Sequence, residues 1–322
     1  MSPDTAQGGS MNIQFFAPFS SGWKRMTQAL FRPFQIGKWF VLGFTVFLAK
    51  LLDGSFRGSG FRFKDKNHLL WKDIVEIVDR IQDWILEYPG WFTLIIIGFF
   101  FAAAILILLL WISSRGKFMF LDNVVYDRAL ISEPWYRFRA EGNSLFLWRL
   151  VFGLIMLGVI IVFAVVLFAT AFNFINNDFE PAKHIPPIVG FGLLAFLMTV
   201  VVLYIVLFLN DFVVPIMYIH RRSAVQAWGM FLKIFSRHWI YFILYGLLIL
   251  ILHILVVFAV VMIGFFTCCF GFVLLVIPYI GSVVLLPVSY TFRAFSLEFL
   301  EQFGPEFKIF PQQPEPAMLS EE

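Results

Sequence analysis

The sequence predicts an all-α membrane protein, and three observations carry that prediction. First, the 322-residue chain is 60% hydrophobic and only 14% charged, whereas soluble domains run at about 45–50% apolar and 25% charged. Second, the stretch Trp239 to Phe292 holds no Asp, Glu, Lys or Arg and a single histidine, His253. It is more than twice the roughly 20 residues that one spanning helix needs, so it reads as two crossings joined by a short turn. Third, a basic and aromatic pattern recurs ahead of the apolar runs. Together these predict about six transmembrane helices in three pseudo-repeated pairs. Each pair follows an amphipathic elbow helix on the cytoplasmic side, and one acidic amphipathic helix lies on the outer side.

Taken in order, residues 1–14 are polar and read as a disordered N-terminus, followed by one membrane domain over 15–303. Phe19, Trp23, Met26, Leu30 and Phe34 share one helical face, with Lys24, Arg25 and Arg32 off it. That is a basic amphipathic helix suited to the membrane interface. The first crossing is expected over 34–52, with Lys38 and Lys50 near its ends, where long side chains reach the headgroups. Asp53 to Gly60 is a Gly-rich turn. An acidic helix follows over Leu69–Glu87, its apolar face Leu70, Ile74, Ile77, Ile81 and Trp84, and Pro89–Gly90 ends it. The uncharged run 91–112 is the cleanest crossing. A basic segment, Ser113–Arg149, has a helix start at Ser132-Glu133-Pro134 and a stop at Gly142.

Crossings at 150–172 and 188–209 follow, separated by the polar loop Asn173–Pro187. After a second basic segment, Asn210–His238, come crossings at 239–265 and 272–297, turning near Phe266–Gly271. Pro278 and Gly281 kink or break the last of these. Residues 304–322 are rich in Pro and Glu and read as a disordered tail. Cys268 and Cys269 are adjacent within the apolar run and read as small packing residues. The 43 Phe and 10 Trp suit lipid-facing surfaces and interfacial belts. Basic side chains gather in the segments 113–149 and 210–238, which places both termini in the cytoplasm of a cell with this protein in its inner membrane.

The repeat is a matter of fixed spacing. Arg128, Trp135 and Phe138 give R-x6-W-x2-F, and Arg221, Trp228 and Phe231 give it again. Phe120-Leu121-Asp122-Asn123 opens the first basic segment and Phe208-Leu209-Asn210-Asp211 the second, with Phe299-Leu300-Glu301-Gln302 a third version. A tryptophan fixes depth at the interface while its basic neighbour meets anionic headgroups. On the run from Arg221-Arg222 through Trp228 to Arg237-His238-Trp239, the chain resembles uncharacterised prokaryotic multi-pass membrane families. It is also similar to the membrane domain attached to some glycerophosphodiester phosphodiesterases. The catalytic domain of those enzymes is absent, so the resemblance implies no such activity.

Candidate functional positions are few. His253 falls near mid-membrane, where an ionisable group is a functional candidate, although a neutral histidine bonded to Thr199 or Ser289 would serve structure alone. Asp122 and Asp211 stand at helix ends and could bind a cation or move a proton, or else pair with arginines nearby. Arg221, Arg222, Trp135 and Trp228 are the elbow residues that would engage lipid. Lys117 after Gly116 lacks the rest of a phosphate loop. No catalytic, metal or nucleotide motif appears, so no cofactor is expected. Basic loops are accounted for by membrane orientation rather than by nucleic acid. The expected partners are therefore the bilayer, its anionic lipids and a membrane-protein partner. The sequence reading is a non-enzymatic membrane protein that organises lipid or a partner through its basic elbows. A transporter or channel is the alternative, and an intramembrane enzyme a distant third.

Overall fold

The computed structural model describes residues 13–53, 86–176, 181–267 and 270–311. Every regular element among them is helical. In chain order these are α1 (Phe16–Phe31), α2 (Ile36–Lys50), α3 (Pro89–Val125), α4 (Ser132–Arg137), α5 (Arg139–Asn176) and α6 (Pro181–Phe208). A π turn, Leu209–Val213, leads into α7 (Val214–His220), and then come α8 (Ala224–Phe266), α9 (Phe270–Val276), α10 (Pro278–Val284) and α11 (Leu286–Glu301).

Four helical stretches, Pro89–Val125, Arg139–Thr170, Val189–His220 and Ala224–Phe266, are long and apolar enough to cross a membrane, and the bent pair α10–α11 would make a fifth. The runs expected to cross at 91–112, 150–172, 188–209 and 239–265 all fall within those four. They stand out as arms whose apolar side chains are exposed: Phe99, Ile160, Leu203 and Phe258 are all 60% exposed or more. Unpartnered apolar surface on this scale has lipid as its natural solvent.

The arms rise from a packed base. α3 is 37 residues long, about 55 Å at 1.5 Å per residue, and all its buried residues lie in Ser113–Val125. There it meets α2, α4, α5, α7 and α11. The base core is aromatic: Phe212 lies 5.0 Å from Phe242 and 4.9 Å from Tyr245, and Phe242 stacks on Phe303 at 4.8 Å. Each such pair adds about 0.5–1.5 kcal/mol beyond the area it buries. Much of the phenylalanine assigned to lipid contact is therefore core.

Two expected crossings take a different form. Residues 36–50 make a 15-residue helix, about 22 Å against a hydrocarbon core near 30 Å. α2 lies antiparallel to the buried part of α3: Lys38 Nζ donates to Asp127 Oδ1 at 2.9 Å, and Ser113 Oγ donates to the Ala49 carbonyl at 3.0 Å. The 272–297 crossing is broken into α9, α10 and α11. Pro278 begins α10 at its first turn, and α10 and α11 meet at 63°. The turn between the fifth and sixth runs does fall after Phe266.

Other boundaries move for local reasons. Gly142 does not stop a helix, since α5 runs through it from Arg139 and its bare backbone lies against Arg115. Residues 173–176 and 181–187 are helical where a loop was expected. Pro186 and Pro187 sit in the opening turns of α6, where few backbone donors are lost. Helix α8 starts on a capping box, Ser223 with Gln226, and its backbone leaves helical geometry at His238, separating the elbow from the run beyond. The N-terminal stripe divides. Met26 and Leu30 are buried, with α1 packed on α11, while Trp23 is exposed.

The tail is packed at its start: Glu301 accepts from the Ile309 and Phe310 N–H groups, and Arg25 lies 3.7 Å over the Phe310 ring. Residues 1–12, the turn at 54–60, residues 69–85 of the expected acidic helix, Cys268, Cys269 and residues 312–322 lie outside the described residues.

The α2–α3 contact depends on Gly116. A Cβ there would come 2.8 Å from the Ala49 nitrogen and the Leu48 carbonyl carbon, backbone atoms that cannot swing away. Gly116→Val should therefore lower stability by about 1–3 kcal/mol or more through overpacking. Gly98→Ala, where nothing lies within 4 Å, should be neutral. Unfolding of the two variants in detergent checks the contrast.

Candidate functional site

Where α2, α3, the π turn, α8 and α11 converge they enclose a cavity of about 300 Å³. Its polar lining is Lys50, Asp53, Lys117, Asn210, Asp211, His253, Ser289 and Arg293. Ligand sites typically start near this size.

Each of these side chains is delivered by a different local device. Lys50 is the last residue of α2, and its ammonium donates to Ser289 Oγ at 2.8 Å. Asp53 stands in the turn just beyond. Lys117 projects from the buried part of α3, only 3% exposed, and donates to Asp53 and, at 2.6 Å, to Asn210 Oδ1. Arg149 of α5 closes the other side of Asp53 with a 2.9 Å bond to Oδ1 and reaches Ser113 Oγ at 3.1 Å. Burial alone would raise the Asp53 carboxyl. The charges of Lys117, Arg149 and Lys50 outweigh that and hold it below the ordinary carboxylate value.

The π turn supplies the opposite wall. Such a turn widens the helix by one residue and loosens its carbonyl pairing, and it often marks functional positions. Here Arg293 Nη1 donates to the Asn210 carbonyl at 2.7 Å, and the Tyr245 hydroxyl donates to Asp211 Oδ2 at 3.0 Å. Arg293 Nε is buried with no hydrogen-bond partner among the described residues.

Of the candidates read from the sequence, the fold brings His253 and Asp211 to this cavity and leaves the rest elsewhere. His253 bonds neither Thr199 nor Ser289. Its Nδ1 donates to the Ile249 carbonyl at 2.8 Å, and its ring stacks on Phe292 at 4.6 Å. Asp122 is fully buried, held by Arg128 Nη2 at 2.7 Å and the Tyr218 hydroxyl at 2.9 Å. Saturated in this way, it fixes the loop rather than facing space. Arg221, in a left-handed conformation (φ 52°), bonds Glu141 at 3.3 Å and covers the Phe138 ring at 4.0 Å. Arg222 is exposed. Trp135 meets Trp111 at 5.7 Å, and Trp228 stacks on Trp148 at 5.5 Å.

Lys50, Asp53, Lys117, Arg149 and Arg293 escaped the sequence reading as a group. One signal was present: Lys117 and Arg293 each lie just beyond a long uncharged run. Among the described residues no cluster of His, Cys, Asp and Glu is arranged to hold a metal ion.

An all-helical protein with apolar arms and a charged cavity at their root fits the class of polytopic membrane proteins. The chain belongs to a family of unknown function, DUF7544, whose profile matches residues 20–300. No curated protein and no solved structure matches it. The likeness to phosphodiesterase membrane domains thus gains no support from these comparisons.

The Lys117–Asp53 pair should be mutually dependent. Removing Asp53 strands the buried Lys117 ammonium, which costs about 3–5 kcal/mol, whereas Asp53 keeps Arg149 when Lys117 is removed. Asp53→Asn should destabilise by about 3 kcal/mol and Lys117→Met by less, and the double variant by clearly less than their sum. A double-mutant cycle on detergent unfolding measures this, and strict additivity would count against the pairing.

Proposed function

We propose that the protein is a non-enzymatic integral membrane protein that organises anionic lipid at its base. In this reading the arms lie in the inner membrane, and the base and both termini face the cytoplasm. The observation that carries the reading is the distribution of charge. The arms present bare apolar side chains, whereas exposed cations, Lys24, Arg32, Arg137, Arg139, Arg222, Lys233 and Arg237, gather on the base. Exposed tryptophans accompany them: Trp23 and Trp239 are 57% and 52% exposed. Basic side chains on the cytoplasmic side and aromatic rings at the interface are the ordinary signs of membrane placement. Each such cation near an anionic surface contributes about 1 kcal/mol.

The elbows act as a pair in this reading. Phe138 and Phe231, the last residues of the two R-x6-W-x2-F patterns, are both buried. Trp135 and Trp228, meanwhile, each meet a tryptophan at the root of an arm. A third unit is weaker, because α2 is too short to complete a pair of crossings.

A transporter is the second reading, favoured by a polar cavity beside a π turn and a broken helix, features that line substrate paths in known transporters. Reconstitution separates the two. Neutralising Arg222, Lys233 and Arg237 together should reduce the enrichment of phosphatidylglycerol in the boundary lipid by up to about 3 kcal/mol in total. The residual enrichment should then depend less on salt. Selective solute flux through vesicles, unchanged by those substitutions, would instead establish transport. For orientation, a cysteine at Gly90 should label from outside intact cells and one at Arg222 should not; the opposite pattern would invert the protein.

A further inference from the structure

The cavity carries more positive charge than its own carboxylates can match. Three cations line it, Lys50, Lys117 and Arg293, with Arg149 behind them on Asp53, against two carboxylates, Asp53 and Asp211. Asp53 is already shared by Lys117 and Arg149. Among the described residues Lys50 hydrogen-bonds only a hydroxyl and Arg293 only a backbone carbonyl, with Arg293 Nε unpartnered; Asp53 and Asp211 act on both cations through space without bonding either. An excess of enclosed cations is costly in a low dielectric unless an anion neutralises it. The space between these two donors is open rather than packed, since both line the cavity and Lys50 is exposed there.

The mouth has a different chemistry. Leu203 and Val206 also line the cavity, and they are 62% and 38% exposed on the apolar flank of α6. The site is thus cationic within and apolar at its rim, the complement of an anionic amphiphile. Its volume of about 300 Å³ suits a headgroup and excludes a whole lipid.

We propose that this cavity is a binding site for a phosphate group, in the first place that of an anionic lipid, held between Lys50 and Arg293 with the acyl chains lying along α6. Ser289 accepts from Lys50 and donates to the Leu285 carbonyl at 3.1 Å, which holds the ammonium in place at the cavity wall. Arg293 offers a planar fork suited to phosphate, and Lys50 a point charge. The inference rests on the membrane placement proposed above. It differs from elbow binding in being stoichiometric and internal.

Native mass spectrometry of the full chain in detergent, titrated with phosphatidic acid or phosphatidylcholine, tests it. Inorganic phosphate forms a separate arm, read by its protection against thermal unfolding. Wild type should bind one phosphatidic acid at least tenfold more tightly than phosphatidylcholine. Lys50→Met, which strands no carboxylate, should lose most of that preference while remaining folded, and Arg293→Gln should lose it as well. The elbow variant lacking Arg222, Lys233 and Arg237 should keep it, so failure of the elbow reading and failure of this one are distinguishable. Phosphate protection that disappears in Lys50→Met, without a lipid preference, would support the anion site and assign it to a free solute. Equal binding of the two lipids together with no phosphate effect, or a preference that survives both cavity variants, would overturn the proposal.

Discussion

A lysine buried among helices can keep its charge only where acceptors reach it, and Lys117 meets that constraint through residues from two other parts of the chain. Asp53 comes from the end of α2, and Asn210 comes from the π turn that closes α6. The two attachments lock α2 against the buried part of α3 and bring the widened turn to the same point. Arg149 then fastens α5 to Asp53, and Arg293 fastens α11 to the π turn. Most of the base can be followed outward from that one ammonium group. The close approach at Gly116, one residue earlier, is the steric counterpart of the same junction.

Apolar and polar forces therefore divide the molecule between them. The arms contribute little packing to one another, since their side chains are mostly exposed, and they need a surrounding apolar solvent. The base has a core of its own, with Phe212, Phe242, Tyr245 and Phe299 interlocked at ring spacings of about 5 to 6 Å. Between the two lies the charged cavity. In such a place a polar group must be partnered or serve a ligand.

How much of this was legible follows from the range of each interaction. The arms were legible because a run such as 91–112 needs no partner to declare itself: its length and lack of charge suffice. The second elbow was marked by Arg221-Arg222 and Trp228, but its capped start at Ser223 was not read. The break at Pro278 was marked by a missing backbone donor. The α2 segment misled, because a half-buried helix packed on protein and a short crossing have the same composition. Gly142 misled in the same way: a residue that ends one helix can, in another, admit a neighbouring side chain. The cavity was not legible at all. Lys50, Lys117 and Arg293 stand far apart in sequence, and only the crossing of α2, α3 and α11 brings them together. Asp122 and Asp211 looked equivalent by motif, yet Arg128 saturates the first while the second faces the cavity.

If the cation excess at this junction is met by a bound phosphate, as proposed, the most direct measurement is to see what fills the cavity. A high-resolution density map of the full chain in nanodiscs containing phosphatidic acid would show this. The predicted result is a tetrahedral headgroup density within hydrogen-bond distance of Lys50 Nζ and the Arg293 guanidinium, continuous with acyl density along Leu203 and Val206. A cavity holding water alone, with Lys50 drawn across to pair directly with Asp211, would contradict it.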